Sequence, residues 1–321
     1  MPQIATALNF ADRIGAWKAR WGIGRMNYMA PPGLYAIGSP MPDDPVLVTA
    51  NYKMSYDIIR SVLAGRTVWL LVLETYGINV WCAAGKGTFG TEELVRRIGL
   101  AGLAKAVIHR RLILPILGAP GVAAHEVTKQ TGFSIRYAAI RAGDIPAYLD
   151  NGMVTTPAMR ELTFTFRERL ALIPVELVQA LKPTAIAAAV LFIIGAALQG
   201  PANGLMTVYA YLGAVVAGAA IAPLLLPWLP GRSFAVKGVV TGLAWITAFY
   251  LLAGGRGWSA PATAAAFLAL PAVSAFYALN FTGCTTYTSR SGVKKEMRIA
   301  LPAMGCVVIF SALIVLAGRF I

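Results

Sequence analysis

The fold of the N-terminal half is decided by an apolar run, Thr67-Val68-Trp69-Leu70-Leu71-Val72-Leu73, and by the segment that follows it, Asn79-Val80-Trp81-Cys82-Ala83-Ala84-Gly85-Lys86-Gly87-Thr88. The apolar run has the length and composition of a buried strand. Residues 92–98 then begin a helix, with acidic residues in its first turn. Cys82 therefore lies beyond the C-terminal end of a strand, where open α/β sheets bind their ligands.

Strands and helices alternate on both sides of this segment. Besides residues 68–73, the sequence predicts strands at residues 46–49, 111–115, 134–140 and 162–166. It predicts helices at residues 54–63, 94–107, 122–131 and 145–149. This alternation is typical of a Rossmann-like α/β domain with a parallel sheet and helices on both faces, which we predict for residues 46–166. Thr49, Asn51 and Thr75 follow strands on the ligand side of this sheet.

Two further segments flank the predicted domain. Residues 1–45 are rich in glycine, proline and aromatic residues. We expect an N-terminal arm that lies on the α/β domain and contains a short amphipathic helix at residues 10–19. Residues 167–183 have helical apolar spacing and end at Lys182-Pro183, so we interpret them as a linker helix.

The composition indicates that part of the chain lies in lipid. Of the 321 residues, 57% are hydrophobic and 13% are charged, and the charged fraction is about half the ~25% typical of soluble domains. The mean hydropathy is +0.65. The net charge of +14 could suggest nucleic acid. Cations in loops beside membrane spans explain the excess in the second half better, so no nucleic-acid partner is expected.

Five apolar runs follow Pro183, and each is long enough to cross ~30 Å of hydrocarbon. They cover residues 184–199, 205–226, 235–253, 261–281 and 299–317. We predict an all-α transmembrane domain of five helices over residues 184–321. With the first half inside, six loop cations lie inside and two outside, which agrees with the positive-inside rule. The inner six are Arg232, Lys237, Arg290, Lys294, Lys295 and Arg298, and the outer two are Arg256 and Arg319. The spans hold no acidic and no interior basic residue, which favours an anchor or scaffold over an ion-coupled transporter.

Cysteine and histidine are too sparse for two common kinds of site. Cys82, Cys284 and Cys306 are far apart and form no Cys-x-x-Cys, and His109 and His125 are the two histidines. This pattern excludes a disulfide framework and a zinc site. The first 20 residues lack an apolar core segment, so we expect no signal peptide and a first half that stays in the cytoplasm.

One alternative reading of the central segment is a nucleotide site. Gly85-Lys86-Gly87-Thr88-Phe89-Gly90 has the spacing of a dinucleotide-binding fingerprint. Its glycines come about ten residues after the strand, whereas the fingerprint needs them in the turn directly after it. No acidic residue stands about 20 positions later to bind a ribose. Arginines there could bind a 2′-phosphate, so an NADP oxidoreductase stays open, while a Walker A loop is excluded.

The other reading is that Cys82 carries the chemistry. A cysteine near a helix N-terminus and close to Lys86 is expected to favour the reactive thiolate form. Ala83, Ala84 and Gly85 remove side-chain bulk around it, which would let a large flat ligand approach the backbone. A buried, inert cysteine is the opposing interpretation, and the residues alone do not decide between the two.

The run Asn79-Val80-Trp81-Cys82-Ala83-Ala84-Gly85-Lys86 resembles the cap-helix motif of the mercury-methylating corrinoid proteins, the HgcA family. It is similar, more distantly, to the corrinoid domain of the corrinoid iron–sulfur protein, which has a related Ala-Ala-Gly-Lys segment without the cysteine. The run Leu114-Pro115-Ile116-Leu117-Gly118-Ala119-Pro120-Gly121-Val122-Ala123 also resembles the family's loop near the corrin. The order of an α/β domain and about five spans matches the family over the whole chain.

The resemblance implies a cobalamin-type corrinoid whose cobalt takes the Cys82 thiolate as lower axial ligand. The remaining cofactor-binding residues would come from the cap segment, the strand ends and the loop, namely Asn79, Val80, Trp81, Ala83, Ala84, Gly85, Lys86, Gly87, Thr88, Thr49, Asn51, Thr75, Gly118, Ala119, Pro120 and Gly121. The implied activity is that of a corrinoid-dependent methyltransferase that moves a methyl group from Cys-ligated methyl-cobalt to Hg(II) and forms methylmercury. The alternative is a corrinoid methyl carrier for another acceptor.

The resemblance also implies partners and a location. Hg(II) is an electrophile, so the methyl group must leave as a carbanion or radical equivalent, and a donating thiolate assists that. Loss of a carbanion equivalent makes two electrons necessary for the next cycle, and this chain has no cysteine cluster for iron–sulfur centres. The implied partners are a small ferredoxin-like protein with two 4Fe–4S clusters and a methyl-folate-linked methyl donor. The implied location is the inner membrane, with the corrinoid domain in the cytoplasm.

Overall fold

The computed structural model describes residues 1–285 and 287–318, with the side chains of Cys284 and Arg290 also outside the described part. The chain divides into an N-terminal unit, Met1–Thr163, and a C-terminal unit that begins at Phe164.

A six-stranded sheet forms the centre of the N-terminal unit. Its strands are β1 (Gln3–Ile4), β2 (Gly33–Ile37), β3 (Val46–Ala50), β4 (Val68–Leu73), β5 (Arg111–Leu114) and β6 (Ser134–Tyr137), in the order β1-β2-β4-β3-β5-β6. The four strands from β3 to β6 are parallel neighbours, which confirms the predicted parallel sheet. The N-terminal segment adds two strands: β2 runs antiparallel to β4, and β1 pairs parallel with β2.

Seven helices surround this sheet. They are α1 (Phe10–Arg20), α2 (Lys53–Val62), α3 (Val80–Lys86), α4 (Thr91–Leu100), α5 (Leu103–Ala106), α6 (Ala124–Thr131) and α7 (Ile145–Asp150). Successive strand residues point to opposite faces, so Val48 and Leu71 belong to the core that contains α3, α4 and α6. Leu47 and Leu70 belong to the core that contains α2 and α7. Helices therefore cover both faces of the sheet, as predicted.

Two secondary-structure predictions are wrong in this unit. The single helix predicted at residues 94–107 is broken into α4 and α5 by Gly102, whose φ of 59° is left-handed and leaves the helical region. The strand predicted at residues 162–166 is absent. Thr165 instead caps a helix that begins at Phe166, with its hydroxyl 3.4 Å from the N–H of Glu168, and this capping box overrides the local β propensity.

The arm is fixed to the α/β core by charged contacts from α1 to α2. Asp12 accepts hydrogen bonds from Lys53 at 2.7 Å and from Arg60 at 2.6 Å. Asp57 contacts the same two cations at 2.5 and 2.8 Å. These four side chains are mostly buried. The predicted helix at residues 10–19 is therefore present, and it lies on the α/β core.

The C-terminal unit is helical. Five helices within the described residues are long and apolar enough to cross a membrane: α8 (Phe166–Gln199), α9 (Pro201–Leu224), α10 (Phe234–Leu252), α11 (Ala260–Asn280) and α12 (Arg290–Ala317). Helix α8 has 34 residues and includes residues 167–183 together with the first apolar run, with Pro174 and Pro183 inside it.

Glycines allow α9, α10 and α11 to approach closely. A Cβ atom on Gly218 would lie 2.1 Å from the carbonyl oxygen of Ser274, and one on Gly238 would lie 2.5 Å from the Cα of Ala275. Small residues at such contacts are typical of helix packing in lipid.

One residue of the membrane half differs from its predicted place. Lys237 was expected in a loop, but it lies in the first turn of α10, is buried, and donates to the carbonyl oxygens of Leu226 and Leu229 at 2.5 and 2.7 Å. Arg319, which the orientation argument counts as an outer cation, lies outside the described residues.

Candidate functional site

Cys82 lies in the first turn of α3, which begins directly after Asn79. The side-chain Oδ1 of Asn79 accepts the N–H of Cys82 at 2.9 Å, so Asn79 is the N-cap of this helix. The side chain of Cys82 is exposed. Residues 79–82 thus form a capped helix start that presents one thiol at the surface of the unit.

The loop between β4 and α3 is held by Asn51, which follows β3. Its Oδ1 accepts the N–H groups of Thr75 and Gly77, each at 3.1 Å, and the Thr75 hydroxyl lies 2.8 Å away. Its Nδ2 donates to Glu74 at 2.6 Å. Asn51 is 2% exposed and Thr75 is fully buried. Both predicted ligand residues therefore have their polar atoms engaged inside the protein, where they position the start of α3.

Glu93 also holds this loop in place, a role that the sequence did not predict. From the first turn of α4, its Oε1 accepts the backbone N–H of Glu74 at 2.7 Å and the Arg97 guanidinium at 2.8 Å, and Oε2 contacts Arg96. Burial raises the pKa of this carboxyl, but the hydrogen bonds from Glu74, Arg97 and Arg96 outweigh burial and lower the pKa overall. The acidic first turn was visible in the sequence, but the loop that it contacts was not.

The inner side of α3 packs against the predicted loop near the corrin. Residues 116–121 form a short 3₁₀ helix beneath α3. A Cβ atom on Gly121 would lie 2.1 Å from the carbonyl oxygen of Phe89 and 3.0 Å from the Cα of Ala84. One on Gly118 would lie 2.5 Å from the Phe89 ring. Small residues at positions 84, 118 and 121 are therefore required by packing within the protein.

The outer side of α3 is open. Cys82, Gly85 and Lys86 are exposed, and Trp81 is 39% exposed. A Cβ atom on Gly85 would meet no atom within 4 Å, so nothing in the described structure requires glycine at this position. Residues 82 and 85 are three apart and share one face of the helix.

An apolar cleft of about 330 Å³ lies beside the start of α3. It is lined at the C-terminal ends of β3 and β5 by Thr49 and Pro115, and from the cap segment by Asn79, Val80 and Trp81. The lining also includes residues 139–142 beyond β6 and apolar residues of α2, among them Ile58 and Ile59. Of the predicted site residues, Thr49 and the start of the cap segment meet at this cleft. Its lining does not include Cys82 to Thr88, Asn51, Thr75 or Gly118 to Gly121.

The nucleotide reading fails on geometry. Gly85 lies inside α3, Gly87 is the left-handed C-cap of that helix with φ of 83°, and Gly90 is the N-cap of α4. The fingerprint instead requires its glycines in the turn between a strand and a helix, at the pyrophosphate. No group of three or more His, Cys, Asp or Glu within residues 1–285 and 287–318 could hold a metal ion.

Known proteins resemble part of this chain. The acetyl-CoA decarbonylase/synthase complex subunit gamma of Archaeoglobus fulgidus is 34% identical over 121 residues, which are 37% of this chain and 25% of that protein. The same subunit of Methanopyrus kandleri is 31% identical over 37% of this chain and 26% of its own length. That of Methanocaldococcus jannaschii is 36% identical over 27% and 18%.

The chain thus covers about a quarter or less of these curated relatives. The matching family is described as CO dehydrogenase/acetyl-CoA synthase delta subunit, and its sequence profile matches residues 25–149, within the α/β unit that contains α3 and the cleft.

Proposed function

We propose that the N-terminal unit binds a corrinoid, that the Cys82 thiolate would hold its cobalt, and that the chain carries a methyl group for transfer. When bound, the corrinoid supplies a cobalt centre that accepts a methyl group and gives it to an acceptor. The relatives are subunits of acetyl-CoA decarbonylase/synthase complexes, and this similarity supports a corrinoid methyl carrier.

The observation that carries this proposal is the contrast between the two sides of α3. Protein packing explains the small residues Ala84 and Gly121 on the inner side, but it does not explain Gly85 on the outer side. A glycine inside a helix costs about 1 kcal/mol relative to alanine. A flat ligand that lies over the outer side of α3 gives this glycine a role, and it places the Cys82 thiolate beneath the ligand.

The cleft beside α3 is a second feature that could hold part of a corrinoid. Its mostly apolar lining and its place at the carboxyl ends of β3 and β5 suit an elongated substituent that hangs from the ring into the sheet edge. Thr49, Asn79, Val80 and Trp81 would contact that substituent. Gly118, Ala119, Pro120 and Gly121 would support α3 from below, and Asn51 and Thr75 would hold the preceding loop.

We propose Hg(II) as the acceptor and methylmercury as the product. The proposal rests on the cysteine itself: a thiolate donates more electron density to a metal than an imidazole does, and axial ligands tune metal reactivity. Giving a methyl group to an electrophile such as Hg(II) would consume two electrons in each cycle. The described residues hold no cysteine group for an iron–sulfur centre, so a ferredoxin-like partner would supply them, and a methyl-folate-linked donor would supply the methyl group.

The location proposed for this reaction is the inner membrane. The five apolar helices would cross the bilayer, and the inward excess of loop cations in the sequence would place the N-terminal unit on the cytoplasmic side. This arrangement would keep the methyl carrier close to cytoplasmic methyl and electron donors.

Replacement of Cys82 tests the ligand assignment. The full-length Cys82→Ala protein, loaded with a corrinoid in detergent, is expected to change its visible absorption spectrum and to lose methylation of isotopically labelled Hg(II) by about tenfold or more, as loss of a metal ligand or its support commonly does. Cys306→Ala is the matched control, because Cys306 is an exposed cysteine of the C-terminal unit. A Cys82→Ala protein with the wild-type spectrum and rate would refute the cobalt–sulfur bond.

A second candidate is a carrier that delivers the methyl group to a different acceptor, and the similarity to the gamma subunits favours it. Methyl-loaded protein in its membranes can be offered Hg(II) together with a thiol or a corrinoid acceptor in competition. Preferential transfer to Hg(II) supports mercury methylation, whereas preferential transfer to the other acceptor supports the carrier. Absence of any bound corrin absorption would overturn both candidates.

A further inference from the structure

The side chains of α1 are distributed in the reverse of the usual pattern for a surface helix. A helix that packs on a soluble core buries its large apolar residues and exposes its polar ones. In α1 the side that faces the core carries Asp12, Gly15 and the fully buried Ala19. Phe10 is 79% exposed and Trp17 is 55% exposed. The large apolar side chains therefore point away from the protein.

This orientation is fixed by specific contacts. Asp12 pairs with Lys53 and Arg60, and the Tyr28 hydroxyl donates to the Asp12 carbonyl oxygen at 3.0 Å. A Cβ atom on Gly15 would lie 2.5 Å from the Tyr28 ring, so the helix lies directly against that ring. Rotating α1 to bury its apolar side would break two ion pairs and place bulky side chains where only glycine fits.

The outward side chains form one continuous stripe. Three residues of α1 and the residue that follows it fall within an arc of about 60° at about 100° per residue. They are Phe10, Ile14, Trp17 and the C-cap residue Trp21, and we call them the α1 outer face. All four are exposed, and the Trp17 and Trp21 rings are 6.1 Å apart.

Cations border this face on both sides. On the same helical wheel, Arg13 and Arg20 lie on one flank of the stripe and Lys18 lies on the other. Arg13 and Lys18 are exposed. Asp12, the acidic residue of α1, points inward to its ion pairs. The outer face is thus an apolar and aromatic stripe between rows of positive charge.

We infer that the α1 outer face binds the surface of a bilayer that contains anionic lipid. An apolar stripe with tryptophan, bordered by Lys and Arg, is the pattern of helices that lie in the membrane interface, where tryptophan is enriched. Positive flanks complement anionic headgroups. The same chain continues into α8, which is long and apolar enough to enter a bilayer, so this unit is covalently tethered to a helix of membrane-spanning length. This inference is independent of the corrinoid and of Cys82.

Tryptophan quenching in the full-length protein tests this inference. The protein is reconstituted into nanodiscs of phosphatidylcholine with phosphatidylglycerol, with and without lipids brominated near the headgroup. Trp17 and Trp21 are two of seven tryptophans, so their emission is obtained as the difference between wild type and the Trp17→Phe, Trp21→Phe double variant. Trp69 is the matched control, because its half-buried indole is fixed to the N-terminal unit by a hydrogen bond to the Met41 carbonyl oxygen at 3.0 Å.

We expect brominated lipid to quench the Trp17 and Trp21 emission by about twofold or more, as for side chains at the level of the headgroups. The Trp69→Phe difference emission should not be quenched. Arg13→Glu with Lys18→Glu should abolish the added quenching that phosphatidylglycerol gives over phosphatidylcholine alone.

Two results would overturn the inference. Unquenched emission with the maximum of a water-exposed indole would mean that the outer face is free. Unquenched emission with the maximum of a buried indole, in nanodiscs that hold one chain or more, would mean that a protein surface covers it.

Discussion

Gly85 and Gly121 show, at the scale of single residues, how the same amino acid serves two different purposes. Gly121 is required because a side chain there would collide with backbone atoms of Phe89 and Ala84. Gly85 has free space above it. The sequence presents both as glycines of predicted cofactor-binding segments, and the three-dimensional contacts separate a packing role from a role toward a ligand.

Alanine at these two positions should therefore have opposite effects. Gly85→Ala is expected to leave the free energy of unfolding of the cofactor-free protein unchanged or to raise it by up to about 1 kcal/mol, while it weakens corrinoid binding. Gly121→Ala is expected to lower that free energy by about 1–3 kcal/mol, because the backbone must shift. Denaturant titration and corrin-absorption titration measure the two quantities. Unchanged corrinoid affinity in Gly85→Ala would contradict a ligand over α3.

The residues that hold Cys82 in place differ in how visible they are from sequence. Asn79 stands three residues before Cys82, and its capping role follows from that spacing. The role of Asn51 does not follow from local spacing, because its hydrogen-bond partners Thr75 and Gly77 are 24 and 26 positions away. Asn51 was predicted to contact the ligand, and in the structure its side-chain amide is hydrogen-bonded to Glu74, Thr75 and Gly77 of the loop after β4.

At the scale of elements, the loop from β4 to α3 depends on the Asn51 side chain. Asn51→Ala would leave the N–H groups of Thr75 and Gly77 buried without this acceptor, and unfolding free energy is expected to fall by about 2 kcal/mol or more. Denaturant titration of the cofactor-free protein should show this lower free energy of unfolding. Thr75→Val is the control, since it removes one hydroxyl and leaves both backbone bonds to Asn51 in place. If Asn51→Ala weakened corrinoid binding at unchanged cofactor-free stability, Asn51 would instead contact the cofactor.

The attachment of α1 to α2 should depend on acid. Burial raises the pKa of Asp12, but hydrogen bonds from Lys53, the Asn9 N–H and Arg60 outweigh burial and bring the pKa to about 2, below its ordinary 3.8. A carboxyl with a lowered pKa contributes stability that is complete above its ordinary pKa and is lost as the pH falls toward its folded value.

We therefore expect α1 to remain attached down to about pH 4 and to loosen between pH 4 and pH 2. Hydrogen exchange of the peptide that contains residues 10–20, followed between pH 6 and pH 3, measures the opening. In the Asp12→Asn variant the peptide should exchange faster already at pH 6. Its protection should then not decrease further between pH 4 and pH 3, because the carboxyl that titrates there has been removed. Protection in wild type that is flat from pH 6 to pH 3, with Asp12→Asn identical to it, would show that Asp12 does not hold the helix.

Helix α3 carries the predicted ligand residue Cys82. It has seven residues, which is too short for stability by itself. Its N-cap, its packing on residues 116–121 and the loop held by Asn51 and Glu93 fix it instead. An element supported from three sides presents its outer side with a defined geometry, as a metal ligand requires.

At the scale of the whole molecule, the chain joins an α/β unit to a helical unit rich in apolar residues. Residues 25–149 of the first match the profile of the family described as CO dehydrogenase/acetyl-CoA synthase delta subunit. The second contributes five helices of membrane-spanning length within the described residues. If the outer face of α1 binds lipid as inferred, the α/β unit would be held at the bilayer at a second point besides its covalent connection to α8.

The sequence by itself determined the parallel strands, the helices between them, the five apolar runs and the place of Cys82 after a strand. These features follow from apolar spacing and capping within about ten to twenty residues, which a single segment contains. The tertiary structure decided the two strands added by the arm, the break at Gly102, the roles of Asn51 and Glu93, and the outward apolar face of α1. Each depends on which distant residue is the neighbour: Asp12 and Arg60 are 48 positions apart and β2 pairs with β4, so no local pattern specifies them.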